Sequence, residues 1–286
     1  MNEQKNILVM GATGKQGGAV AGELLAHGFA VRAMTRKPGS DKAKALHELG
    51  AEIIQGDFDD SASLERAMEG VWGVFAMQNT WEAGVEKEEA QGKRIAHIAK
   101  KTGVEHFVYT SVGSAQRSTG IPHFDNKWRI EERVRELGFP SHTVIRPVFF
   151  MENFLLPDMK KSLENGKLAM GLRPNTVLQM IAVADIGKYG LWAFENHRAL
   201  NGRAVDIAGD AKSMSETAKV IGNAAGKSVE FVSIPVEDVR KFSEDYAIML
   251  EWFERVGYNV DIDDTAKESG IRPTRLPEWA AKIDWS

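Results

Sequence analysis

The chain has no cysteine among its 286 residues, which excludes disulfides, thiolate metal sites and cysteine nucleophiles together and fits a reducing compartment. It also lacks an excess of positive charge: 36 Lys and Arg stand against 40 Asp and Glu, for a formal net charge of −4. Direct binding to nucleic acid or to an anionic lipid surface is therefore disfavoured. No uninterrupted apolar run approaches the roughly 18 to 20 residues that a membrane helix needs. The opening MNEQKNILVM carries no basic region ahead of a long apolar segment, so the expectation is a cytoplasmic protein without a membrane span. Repeats, low-complexity tracts and blocks of like charge are missing as well. His97, Glu105 and His106 come close in sequence but straddle a helix end and a strand start without a ligand spacing, so no metal site is indicated.

What is present is an alternation. The runs NILVM (6–10), AVRAMT (30–35), AEIIQ (51–55), VWGVFAM (71–77), HFVYTS (106–111) and HTVIRP (142–147) read as strands. Between them lie helical segments: the one after the first strand, then DKAKALHELG, SASLERAMEG, VEKEEAQGKRIAHIAKKTG and DNKWRIEERVRELG. Several end in Gly, as helix C-termini tend to. That order predicts an α/β Rossmann fold, a doubly wound parallel sheet with helices on both faces. After Pro147 the pattern loosens into a smaller C-terminal α/β lobe, so residues 1–153 are expected to form the dinucleotide domain. Residues 154–286 would form the lobe for substrate or partner, with some segments free to return to the sheet. A cleft between the two is the expected site, because open α/β sheets bind ligands outside the carboxyl ends of their strands.

The stretch GATGKQGG places Gly11, Gly14 and Gly17 directly after the first strand and at the opening of a helix, with Thr13 and Gln16 between them. Such a loop turns tightly, lets diphosphate approach the backbone and packs helix on strand. The second strand ends in Thr35-Arg36-Lys37. An acid there would grip a ribose 2′-hydroxyl, whereas Arg36 and Lys37 suit a 2′-phosphate, so NADP(H) is expected over NAD(H). A solvated basic turn is the plainer alternative.

The segments GATGKQGG, VRAMTRKP, GAEIIQGDFDD, QNTWE and IPHFDNKWRIEE follow one another as they do in NmrA-like proteins, which are atypical short-chain dehydrogenase/reductases. The chain resembles in particular the NADPH-sensing members, from the glycine loop through RPVFFMENF and more faintly to VADIG near Asp185. The resemblance implies that Asp57 and Phe58 flank the adenine and that Gln78 and Asn79 lie along the cofactor. It further implies that Lys127 holds the nicotinamide ribose, with Phe150 and Asn153 bordering the nicotinamide. Each has a plainer alternative: a helix cap for Asp57, core packing for Phe58, Trp81 and Phe150, a turn for Asn79.

Typical members of the superfamily carry Y-x-x-x-K after the fifth strand and a Ser at that strand's end. Here Ser111 and Lys127 are present, but the tyrosine position is His123. A tyrosine in such a site donates a proton because a neighbouring cation makes it more acidic. Histidine titrates near neutrality without that help, and a neighbouring Lys disfavours its charged form. Ser111, His123 and Lys127 are thus the candidate catalytic residues, with His123 otherwise a polar residue of the loop after Ile121-Pro122, and Ser111 otherwise a partner for nearby backbone. The replaced tyrosine and the resemblance favour a redox sensor that answers NADP(H) by binding a regulatory protein; the alternative is an NADPH-dependent reductase of a quinone, enone or similar small electrophile. Monomer and dimer are both open.

Overall fold

Short runs rich in β-branched residues become strands and the charged stretches between them become helices in a computed structural model, which describes residues 5–285. The chain runs β1 (Asn6–Val9), α1 (Lys15–Ala26), β2 (Ala30–Thr35), α2 (Asp41–Glu48), β3 (Glu52–Gln55), α3 (Ser61–Met68), β4 (Gly73–Ala76), α4 (Thr80–Ala83), α5 (Val85–Lys101), β5 (His106–Thr110), α6 (Pro122–Glu136) and β6 (Ser141–Pro147). It continues through β7 (Phe149–Phe150), α7 (Pro157–Glu164), β8 (Lys167–Met170), β9 (Val177–Ile181), α8 (Val183–Glu195), β10 (Arg203–Ile207), β11 (Asp210–Ser213) and α9 (Met214–Ala224). The last elements are β12 (Glu230–Ser233), α10 (Val236–Arg240), α11 (Glu244–Arg255), α12 (Ile262–Ser269) and α13 (Leu276–Ala280).

Seven strands form one parallel sheet in the order β10-β6-β5-β4-β1-β2-β3. This is the doubly wound arrangement expected from the sequence. Its central strand explains why NILV is apolar throughout: Ile7 and Val9 enter the core under α1 and α8, while Leu8 enters the core under α3 and α5. The strand order reverses between β1 and β4, and the carboxyl ends of strands at such a reversal are where open α/β sheets bind ligands.

The chain returns to this sheet after residue 153. Helix α8 lies close along α1: a Cβ on Gly187 would stand 2.8 Å from the Ala19 carbonyl oxygen, and one on Gly190 would stand 2.6 Å from Val20 Cγ2. Strand β10 then pairs with β6 over Arg203–Ile207. The second lobe comprises a three-stranded sheet, β11-β9-β7, a two-stranded sheet, β12-β8, and helices around a core that includes Phe154, Leu168, Met180, Met214, Leu250, Trp252 and Trp279. Among the described residues no helix is long and apolar enough to cross a membrane.

Candidate functional site

Gly11 follows β1 in the left-handed region, at φ +60°, and a Cβ on it would come within 2.4 Å of Met77 Sδ. The Gly14 N–H donates to the Gly11 carbonyl at 2.8 Å and closes the turn. Gly17 has no room for a side chain, since its Cβ would lie 2.4 Å from the Gly11 oxygen and 2.6 Å from the Met10 oxygen. Gly14 is the N-cap of α1; no side chain caps it, and no acid stands in the first turn. The free N–H groups of that turn therefore face an unfilled need for an anion, which a diphosphate meets.

Around this loop the side chains fall into two sets. In the first, the polar groups are already occupied. Gln16 Oε1 accepts from Thr110 Oγ1 at 2.8 Å, and Thr13 Oγ1 lies 3.5 Å from Thr35 Oγ1. Arg36, at the end of β2, is exposed and paired with Glu82 of α4, a hydrogen bond that holds its guanidinium proton more firmly than usual; Lys37 beside it is exposed. Asp57 Oδ1 accepts from the Asp59 N–H at 2.9 Å, while Asp60, not Asp57, caps α3. Asn79 Oδ1 accepts from the Trp81 N–H at 3.2 Å and so caps α4. Phe58 and Phe150 each pack at the edge of a core cluster, and the Asn153 carbonyl accepts from the Leu156 N–H at 3.2 Å.

In the second set the polar atoms are buried and bare: Gln78 Nε2 and Oε1, just past β4, and Ser111 Oγ, just past β5, have no hydrogen-bond partner. Gln78 stands at the carboxyl end of β4, which borders the switch point, and Ser111 at that of the next strand, β5. Folded proteins seldom leave such atoms unpaired unless water or a ligand completes them. The glycine cradle and these bare atoms together fit a dinucleotide.

His123 corrects one expectation. It lies not in a loop but in the first turn of α6, which begins at Pro122, because proline's fixed φ and missing N–H suit the first helical position. Its ring is buried, with Nδ1 against the Asp245 carboxylate of α11. One turn along, Lys127 Nζ pairs with Glu88 of α5. Glu88 is fully buried and also takes Thr80 Oγ1 and Asn126 Nδ2. Burial opposes its charge, but the Lys127 ammonium and these donors hold the carboxyl below its ordinary range. Trp81 is not core: it is 62% exposed, with its ring 5.1 Å from that of His123 and 6.1 Å from that of Tyr246.

Glu82, Glu88 and Asp245 escaped the sequence reading. Glu88 falls on the inner face of the long α5, where a lone buried acid inside an otherwise charged helix is the one available hint. Nothing local marks Asp245, which meets His123 across 122 residues.

Comparison with known proteins adds to this geometry. The pattern of the NmrA-like family matches residues 3–280. An NmrA-like family domain-containing protein of Dictyostelium discoideum is 30% identical over 298 residues, covering 98% of each chain. The NmrA-like family domain-containing oxidoreductase FrzB of a Cladobotryum species is 36% identical, over 54% of this chain and about half, 49%, of its own length. Among solved structures, an NADPH-dependent quinone oxidoreductase of Escherichia coli superposes with a TM-score of 0.79 at 24% identity, over 96% of this chain and 98% of that one. At that identity the likeness speaks to the fold.

Proposed function

The chain belongs to the NmrA-like family, and from that premise we propose that it binds NADP(H) in preference to NAD(H) and reduces a small electrophile such as a quinone or an enone in the cytoplasm. The observation that carries the reading is the pair of bare buried polar residues just past β4 and β5, Gln78 and Ser111, with a glycine loop whose helix has no acid in its first turn. The tight turn that Gly11, Gly14 and Gly17 allow would present the first turn of α1 to the diphosphate, and Arg36 with Lys37 would take the 2′-phosphate. NADPH, when bound, supplies the hydride. Ser111 would hold the acceptor oxygen and His123 would supply its proton, while Lys127, its charge balanced by Glu88, would hold the nicotinamide ribose. Quinones and enones ask less of a protein acid than simple ketones do, which suits a site without the usual tyrosine.

Steady-state NADPH oxidation across quinones, enones and aldehydes tests this. Turnover above about 1 s⁻¹ with one of them is expected, in the range of ordinary enzymes. No oxidation above background with any of the three classes would remove the reductase reading and leave dinucleotide binding, measured by calorimetry, as the whole function.

A second reading, a sensor of NADP(H) that presents a surface to a regulatory protein, has its own observation. Arg36 is held by Glu82, and the next residue back, Trp81, touches His123 and Tyr246 of the second lobe. A 2′-phosphate that drew Arg36 away would release α4 and so alter that contact. The sensor requires NADPH and NADP⁺ to differ in affinity or in induced state, because a ligand shifts an equilibrium only by its differential affinity.

A further inference from the structure

Asp245 stands in the first turn of α11, in the second lobe, and its carboxylate reaches across to the first turn of α6. Oδ1 meets His123 Nδ1, and Oδ2 accepts the His123 backbone N–H at 3.0 Å. Both side chains are shielded, at 7% and 17% exposure. Trp81 lies against the imidazole on one side, and Phe124 stands edge-on at 4.8 Å between ring centres. The closest cation along α6, Lys127, is neutralised by Glu88.

We propose that Asp245 is the positioning residue of His123: it fixes the imidazole with its Nδ1–H toward the carboxylate, leaving Nε2 to deliver the proton of the reduction. This rests on the reductase reading above and assigns it an acid contributed jointly by the two lobes. An imidazole facing a carboxylate must turn an N–H toward it, so in the neutral ring Nδ1 carries the hydrogen and Nε2 is bare. Nε2 is then the ring atom through which a proton from solvent passes to the substrate. The same logic operates wherever an acid holds a catalytic histidine by its far nitrogen. For a quinone the step balances as follows. The quinone gains hydride, two electrons and one proton in all, from NADPH, which leaves as NADP⁺. The resulting hydroquinone monoanion takes the Nε2 proton, and the neutral imidazole is recharged by water.

The plain alternative is that Asp245 only caps α6 through the His123 N–H. Asp245→Asn separates the two, since the amide oxygen can still cap the helix while its NH₂ faces Nδ1. Nitrogen-15 spectra of the full-length protein, with His123 identified by its loss in His123→Gln, report the tautomer directly. The neutral ring should carry hydrogen on Nδ1 in the wild type and on Nε2 in Asp245→Asn; a wild-type ring protonated on Nε2 overturns the proposal. In the assay above, Asp245→Asn should lower kcat by about 10²-fold or more with NADPH affinity unchanged. If Asp245→Asn keeps full kcat while Asp245→Ala merely destabilises the fold, Asp245 is a cap and the proposal fails. If the wild type turns over nothing, the reductase reading and proton delivery fall together, and the spectra then judge the tautomer by itself.

Discussion

Arg36 and Glu82 form an ion pair in which both side chains are more than half exposed, at 60% and 53%. Such a pair is screened by water and holds by only about 0.2–1 kcal/mol. On the proposed reading the acid would compete with a 2′-phosphate for the same guanidinium, so Glu82→Gln is expected to tighten NADPH binding by up to about fivefold. Arg36→Asp should weaken it by about tenfold or more and erode the preference over NADH, because a charge-assisted contact of about 1.5–3 kcal/mol is lost. Titration calorimetry with both cofactors checks each change; equal affinity of the wild type for NADPH and NADH would refute the role of Arg36. Lys127 needs a different treatment. Its partner Glu88 is fully buried, so Lys127→Ala strands a carboxylate in the interior and should cost about 3–5 kcal/mol of stability. Urea denaturation measures that cost, and a variant as stable as the wild type would show that the pair contributes nothing to the fold. Loss of NADPH binding in Lys127→Ala is interpretable only after this correction.

Elements bounded by local chemistry were legible in the sequence. The strand read as AVRAMT spans Ala30–Thr35 in the structure, and the helix read from Val85 begins there, after Gly84 at φ +85°. The helix read from Asp125 starts three residues earlier, at Pro122: the sequence reads as a loop that runs on past Ile121-Pro122, whereas the proline is itself the first helical residue. What local pattern could not show is the return of α8 and β10 to the sheet, although IAVADIGKYGLWAF carried a sign in the glycines that bring α8 onto α1. His106 is a second case. As the first residue of β5 it reads as a polar strand end, yet it is fully buried beneath α8. Nε2 lies 3.1 Å from the Ala193 carbonyl and Nδ1 2.9 Å from Ser141 Oγ, whose own hydrogen goes to the His197 carbonyl at 2.7 Å; a neutral ring has one N–H, and on Nε2 it donates to the Ala193 carbonyl. Burial, and then the neighbouring His197, push His106 from 6.5 down to about 3. The unfolded chain therefore takes up a proton on this residue before the folded one does. Stability is full above about pH 6.5 and falls as the pH drops toward about 3, by up to about 1.4 kcal/mol per pH unit. His142 and His197, also lowered by burial, act in the same sense. Denaturation midpoints followed from pH 7 to pH 4 should decline, and His106→Gln should flatten the decline; an unchanged slope would rule out His106 as a main source.

At the scale of the whole molecule, the two lobes are tied through Glu152, in the segment RPVFFMENF. Its carbonyl accepts from Lys15 Nζ at 3.3 Å, beside the glycine loop, and its carboxylate takes the Val183 N–H and Trp279 Nε1, each at 3.0 Å. Burial pushes this carboxyl above its ordinary range, which is the strain of placing an acid where the loop, α8 and α13 converge. The core beneath the sheet has the same composite origin: Ile186, Tyr189, Trp192 and Phe194 of α8 pack with Ile7, Val9, Val20 and Leu24. A fragment ending at residue 153 keeps six of the seven strands, β1 to β6, yet loses α8, which with α1 covers one face. Removing the water-excluding cover from that many apolar side chains costs far more than the roughly 5–15 kcal/mol by which a domain is stable. The fragment 1–153 is therefore expected to show no cooperative thermal transition and no NADPH binding. The full chain should unfold in a single transition that coincides by circular dichroism and by tryptophan fluorescence, since Trp72 and Trp192 report the sheet while Trp252 and Trp279 report the second lobe. Two separated transitions, or a fragment that melts cooperatively and binds NADPH as the full chain does, would mean that the lobes fold independently and that the contacts through Glu152 and α8 are secondary.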